Sequence, residues 1–244
     1  MNLIEIVRKV INPLKLDLKI YPDTDVRRRR KLLDFYKINT ILDVGANSGQ
    51  YGEQTIKDLA FKGKLISFEP VKKTFDKLSE KANSYSNWTV YNYGFGNKNE
   101  ELSINLSENT YSSSLMNILP THVKSAPESK VVGKEIVKIK TLDIVYNDLI
   151  RANDCVLLKI DVQGFEKNVL EGAQESLKHV KGVQVEMSIE ELYQDEMLYL
   201  DMLLYMKKLG FDLCSLENGF YNEKSGKLLQ VDGVFFKTNT SLNE

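Results

Sequence analysis

The segment "TILDVGANSGQYG", Thr40 to Gly52, decides the fold. An apolar, strand-like run ends in an acid, Asp43, and passes into Gly45, Gly49 and Gly52 with little side-chain bulk between them. Glycine belongs where a backbone must bend sharply or let a ligand come close. The Gly45–Gly49 spacing is Gly-x-x-x-Gly. It is neither the Gly-x-Gly-x-x-Gly of dinucleotide sites nor a phosphate loop closing on Gly-Lys-Ser/Thr. A helical pattern starts near Gln50, so the turn joins a strand to a helix N-terminus, which favours a carboxylate. Asp43 offers acceptors to an ammonium group. A ligand with both charges, such as the methionine end of S-adenosylmethionine, matches that pair.

Outward from this turn, apolar strands alternate with helical patterns. Strands are expected at 40–45, 64–69, 88–95, 155–162 and 182–188, with helices at 50–61, 71–83, 165–179 and 196–209. Alternation of this kind specifies an α/β protein with a doubly wound, mostly parallel sheet that binds ligands along the strands' C-terminal rim. The tail, "FDLCSLENGFYNEKSGKLLQVDGVFFKT", holds two strands with no helix between them and predicts an antiparallel C-terminal pair. Five parallel strands with such a pair is the Rossmann-like arrangement of class I methyltransferases. The second strand ends in Glu69-Pro70, twenty residues past Gly49, where a carboxylate would grip a ribose diol. In "NYGFGN", at the third strand's tip, Gly94 and Gly96 leave room for an adenine ring.

Residues 39–244 are expected to form one domain, preceded by a helical extension over 1–38 and carrying an irregular, hydroxyl-rich insertion at about 97–140 on the ligand rim. Leu3, Ile6, Val7, Val10, Ile11 and Leu14 recur at helical spacing, an amphipathic face for packing on the domain, on a second copy in a homodimer, or weakly against a membrane. With 33 basic and 34 acidic residues, no global field draws the chain to nucleic acid. Arg27 to Lys31 is the one basic run, expected as the solvated face of a helix. Cys155 and Cys214 are isolated, no apolar run approaches a membrane span, and the N-terminus shows no signal-peptide pattern, which together suit the cytoplasm.

Methyl transfer to a hydroxyl requires the acceptor oxygen to be positioned and its proton removed or polarised. Lys159 and Asp161, two residues apart on the fourth strand, share one face near the rim. The lysine supports the carboxylate, making Asp161 an orienter of a hydroxyl, a modest base or a metal ligand. Glu186, ending the fifth strand, adds a second carboxylate, while Glu166 serves the dipole of the following helix. His122 in the insertion is either a base reaching the acceptor or a solvated loop histidine, and His179 is a surface residue. The Ser112–Ser114 run lacks the strand–elbow–helix setting of a hydrolase nucleophile. Ser113 and Ser114, with Gln163 and Tyr193, are expected to line the acceptor site, a core position being the other reading of Tyr193. Asp161, Glu186 and Asp232 could hold Mg2+, but nothing demands a metal. Two distant histidines without a cysteine cluster argue against zinc.

"LDVGANSGQYG", "ISFEPVKKTFDKL", "SSSL", "TLD", "LLKIDVQGFEKNVLEGA", "VQVEMS" and "DGVFF" resemble, in order, the blocks of FkbM-type S-adenosylmethionine-dependent methyltransferases, from about Asp25 to Lys237. The resemblance implies a Rossmann-like methyltransferase that O-methylates a small molecule or glycan, such as a macrolide hydroxyl or a cell-surface sugar. By its pattern Asp43, Gly45, Asn47, Gly49 and Glu69 carry the cofactor, and Ala46, Pro70 and Gly94 complete the expected cofactor set. Two other classes remain open: a Rossmann-type oxidoreductase with a nucleotide cofactor, and a catalytically silent cofactor-binding interaction protein.

Overall fold

The structure is a computed structural model that describes residues 3–14 and 21–237. The side chains of Leu3 and Val10, part of the expected amphipathic face, lie outside that description. Strands β1 (Thr40–Val44), β2 (Lys64–Phe68), β3 (Trp88–Tyr91), β7 (Val156–Ile160), β8 (Gly182–Ser188), β9 (Phe211–Asn218) and β10 (Gln230–Lys237) form one sheet in the order β3-β2-β1-β7-β8-β10-β9. The first five in that order are parallel, and β10 runs antiparallel between β8 and β9. β1 and β7 are buried along their whole length, which explains their nearly unbroken apolar runs. Chain order reverses between β1 and β7, so the two turns that leave them open onto the switch-point crevice where sheets of this kind take ligands.

Helices cover both faces. Leu42, Phe68, Ile160 and Val185 belong to one buried cluster, while Ile41, Leu65, Leu78 and Trp88 belong to the other. α2 (Thr24–Phe35), capped by the Asp23 side chain, docks on β9. Its basic run is not wholly solvated, as the sequence suggested. Arg29 is buried and ion-paired with Glu217, while Arg28, Arg30 and Lys31 stay exposed. α1 (Leu3–Ile11) leaves Ile6 exposed.

Three expectations about elements are corrected. The stretch 88–95 is two strands, because Asn92 turns the chain and donates its amide to the carbonyls of Glu69 and Pro70. The second piece, β4 (Gly94–Phe95), leaves the main sheet to pair with β6 (Val131–Lys140). The insertion is not irregular: β5 (Glu100–Ser107) pairs antiparallel with β6, with the short helix α5 (Pro120–Ser125) in the connection. The helix expected over 165–179 is α7 (Glu166–Glu171) followed by a separate 3-10 turn at Ser176–Lys178. α3 (Gln50–Lys57), α4 (Lys72–Ala82) and α8 (Tyr199–Lys208) lie within their expected ranges, and α6 (Leu142–Leu149) is an additional helix.

Candidate functional site

The turns after β1, β2 and β7 meet the small sheet around a cavity of about 400 Å³, within the range of small-molecule sites. Gly45 makes the meeting feasible. Its φ is +78°, and a Cβ there would lie 1.8 Å from the Asp161 carbonyl oxygen, so only glycine lets the two turns pass. Gly49 and Ala46 have other roles than expected. Gly49 packs under Trp88 and Leu78, and Ala46 is in the core; neither lines the cavity.

The turn is not the open carboxylate cradle that the sequence suggested. The N–H groups of Gly45 and Ala46 donate to the Phe68 carbonyl, that of Asn47 to Glu69, that of Ser48 to the Asn47 side chain and that of Gly49 to Ala46. Positive φ at Asn47 and Gly49 folds the turn back onto the end of β2 and satisfies these donors internally. Asp43 is likewise not at the ligand surface. It is fully buried, accepts from Ser67 and lies 3.3 Å from the Lys159 ammonium.

Lys159 is also interior, 3.3 Å from Asp43 and 3.4 Å from Asp161, over the Tyr51 ring at 5.0 Å. Burial opposes its charge, but Asp161 and Asp43 outweigh that and hold its pKa above the ordinary lysine value. Ser67, Asp43, Lys159 and Gln184 are register neighbours on four adjacent strands, a polar row through an apolar sheet.

Glu69 sits at the end of β2 on the cavity wall, with Oε2 accepting from the Asn47 N–H at 3.0 Å and Oε1 from the Val71 N–H at 2.8 Å. Burial raises its pKa to about 7 against the pull of those two N–H groups. A carboxylate has about four acceptor positions, so each oxygen keeps one for a ligand, a spacing that suits a vicinal diol. Pro70, Gly94 and Phe95 line the adjoining wall. A Cβ on Gly94 would come within 3.0 Å of Ile139 and 3.3 Å of Pro70, so the glycine keeps that wall open. The residues present therefore fit an adenosyl group: paired acceptors beside a flat, apolar slot.

At the other end stand Asp161, Gln163 and Glu186. Gln163, with φ +56°, donates to Asp161 at 2.8 Å and to Glu186 at 2.7 Å, and accepts from the Tyr193 hydroxyl at 2.6 Å. Gln230 donates to Glu186 as well. Burial, reinforced by Asp161 and Asp232, pushes the Glu186 pKa well above the carboxylate range. Tyr193 is fully buried and does not line the cavity; it touches the site from behind, through Gln163, the Ser112 carbonyl and His122. Ser114 is also interior, donating to the Gln163 carbonyl, whereas Ser113 lines the cavity. Glu166 does more than meet a helix dipole, since it accepts from the Val162 and Gly164 N–H groups; burial lifts its pKa to about 8.

His122 is neither loop-borne nor solvated. It lies on α5, 3% exposed, edge-on to Tyr193, and burial lowers its pKa to about 4. His179 is exposed. Of the trio named for Mg2+, Asp161 and Glu186 line this cavity, whereas Asp232, the register partner of Glu186, lines a second cavity beside Arg29 and Glu217. Among the described residues no group of three or more His, Cys, Asp or Glu is placed to hold a metal.

Several lining residues escaped the sequence reading: Thr110, Tyr111, Glu128, Phe220 and Gln230. They come from the insertion and the tail, whose approach to the rim is a tertiary fact. The Asn47 amide donating to the Thr110 carbonyl and the Gln50 amide donating to the Tyr111 hydroxyl tie the insertion to the glycine turn.

A parallel sheet reversing at β1/β7 with an antiparallel end pair, and a carboxylate at the end of β2, define a class I, S-adenosylmethionine-dependent methyltransferase fold. Within that class the chain belongs to the FkbM methyltransferases: the family model "Methyltransferase FkbM domain" matches residues 43–213. Among solved structures, the chain is similar to methyltransferase FkbM from Methylobacillus flagellatus KT (16% identity, TM-score 0.51), with 80% of this chain and 43% of that one covered. It is also similar to a SAM-dependent methyltransferase from Aquifex aeolicus (16% identity, TM-score 0.44), covering 98% of this chain and 100% of that one. No curated protein matches the chain. No described helix is long and apolar enough to cross a membrane.

Proposed function

We propose that this chain O-methylates a hydroxyl of a sugar, glycan or related natural product. In this reading residues 39–244 act as one catalytic domain, and the 97–140 insertion supplies the acceptor wall. The observation that carries it is Glu69 on the cavity wall beside Gly45 and Gly94, whose two oxygens each accept one backbone N–H and keep a second acceptor position. Bound S-adenosylmethionine would supply an electrophilic methyl group. Glu69 would hold its ribose, Pro70, Gly94 and Phe95 its adenine, and Gly45 and Asn47 would give clearance to the methionine part. Asp161, ion-paired to Lys159 and held by Gln163, would orient the acceptor hydroxyl and take its proton. Glu186, which accepts from the Gln163 and Gln230 amides and whose pKa burial raises well above the ordinary carboxylate range, would stand beside the same acceptor. Lys159 then positions Asp161 and has no contact with the reacting atoms.

Calorimetry with S-adenosylmethionine tests this. Glu69→Ala should weaken binding by roughly 1.5–3 kcal/mol, the loss of hydrogen bonds to a charged acceptor. Equal affinity for wild type and variant would remove Glu69 from the cofactor site.

A further inference from the structure

Among the described residues the cavity is lined by four carboxyl groups, Glu69, Glu128, Asp161 and Glu186, and by no Lys or Arg. Between them, on the insertion side, stand Ser112, His122 and Phe220. The His122 Nε2 is 3.4 Å from the Ser112 hydroxyl, while its Nδ1 is buried without a hydrogen-bond partner. The Phe220 ring is 5.6 Å from the imidazole and half-buried on the cavity wall.

We infer that this half of the cavity takes an uncharged, polyhydroxylated ring, with one face on Phe220 and its hydroxyls toward Ser112 and Gln163, and that it excludes a ring bearing phosphate or carboxylate. The inference rests on the methyl-transfer reading above and narrows its substrate class. A hydroxyl both donates and accepts, so it suits the Ser112 hydroxyl and the Gln163 side-chain amide alike. Burial keeps the imidazole uncharged through the physiological range, so His122 offers no cation to an anion. An anionic ring would face the Glu128 and Asp161 carboxylates and lose its hydration with no counter-charge to replace it. The flat phenyl face meanwhile matches the C–H face of a pyranose, whose hydroxyls project from its edge toward Ser112, His122 and Gln163.

The experiment uses the full chain saturated with S-adenosylhomocysteine. Ligand-observed saturation-transfer NMR is run on a panel of methyl pyranosides, each paired with its uronate and its 6-phosphate. Neutral members should bind, with the anionic partners at least about tenfold weaker. Phe220→Leu and His122→Asn should each weaken the neutral rings about fivefold or more, with S-adenosylhomocysteine affinity unchanged. Glu128 is exposed, so Glu128→Lys keeps the fold and should raise affinity for the anionic members. Calorimetry separates the two levels. Absence of S-adenosylhomocysteine binding overturns the methyl-transfer reading itself. Binding of that cofactor product with no neutral pyranoside bound, or with anionic rings bound equally well, overturns the inference alone. So does unchanged pyranoside affinity in Phe220→Leu.

Discussion

Lys159 shows how much a single residue's role depends on its neighbours across the sheet. Its proximity to Asp161 is legible in sequence, because residues two apart on a strand share a face. Its pairing with Asp43 is not, because that contact needs the parallel register that sets Asp43 beside Lys159. The ammonium thus serves two buried or half-buried carboxylates at once. Removing it leaves Asp43 uncompensated in the core, so Lys159→Met should destabilise the protein by about 3–5 kcal/mol, read from urea unfolding. A loss below about 1 kcal/mol would mean that the row of charges contributes little. Asp161 sits at the cavity, so Asp161→Asn should keep the fold and the cofactor affinity while lowering turnover on the order of 10²–10⁴. Near-normal turnover in that variant would sink the assignment. His122 provides a contrast. Because its pKa is lowered to about 4, any fall in activity between pH 8 and pH 6 belongs to a group other than this imidazole.

The strand–turn–helix unit at the site was readable and the insertion was not. Glycine turn, β1 and α3 follow from local rules, an apolar strand meeting a helix at residues that tolerate positive φ. The insertion defeats local rules because β5 and β6 pair across a connection of more than twenty residues, and the alternation of β6 is broken by apolar residues, Val131, Val132 and Ile136, that face solvent. The segment from Asn109 to Glu128 contributes to the cavity lining. It is held at its tip by two side-chain hydrogen bonds, from Asn47 and Gln50. The amides of Glu108, Asn109, Thr110, Ser112 and Ser113 are bonded within the insertion itself, so the tip, tied to the glycine turn only through those two side chains, should gain further protection when cofactor and acceptor close the site. Hydrogen exchange monitored by mass spectrometry measures this; full protection before any ligand is added would rule out a closing segment.

Across the whole molecule, burial of acids gives a distinct pH signature. Burial raises the pKa of Glu69 to about 7, of Glu166 to about 8 and of Asp232 to about 6. Each value lies above that of the unfolded chain, so the folded state binds more protons between the two. This stability is fully present below about pH 4 to 4.5 and is lost as pH rises through about 6 to 8. The ligand-free protein should therefore melt at a higher temperature at pH 6 than at pH 8.5, as differential scanning calorimetry would record. A melting temperature that climbs over that interval contradicts the assignment of these three carboxyls.

What the sequence determined by itself was the order of the seven main-sheet strands and of the helices α3, α4, α7 and α8, the glycine turn with Glu69 at the next strand tip, and the Lys159–Asp161 pair. These are local patterns: hydrophobic period, turn chemistry and side-chain alternation act over a few residues. What only the tertiary structure decided was which of those residues meet the cavity. Asp43, Ala46, Gly49, Lys159, Ser114 and Tyr193 lie behind its wall, while Phe220, Gln230 and Thr110 arrive from distant segments. The physical reason is that exposure to a cavity depends on strand register and on contacts across the chain, such as the Tyr193–Gln163 and Asn47–Thr110 hydrogen bonds. No spacing along the chain encodes those contacts.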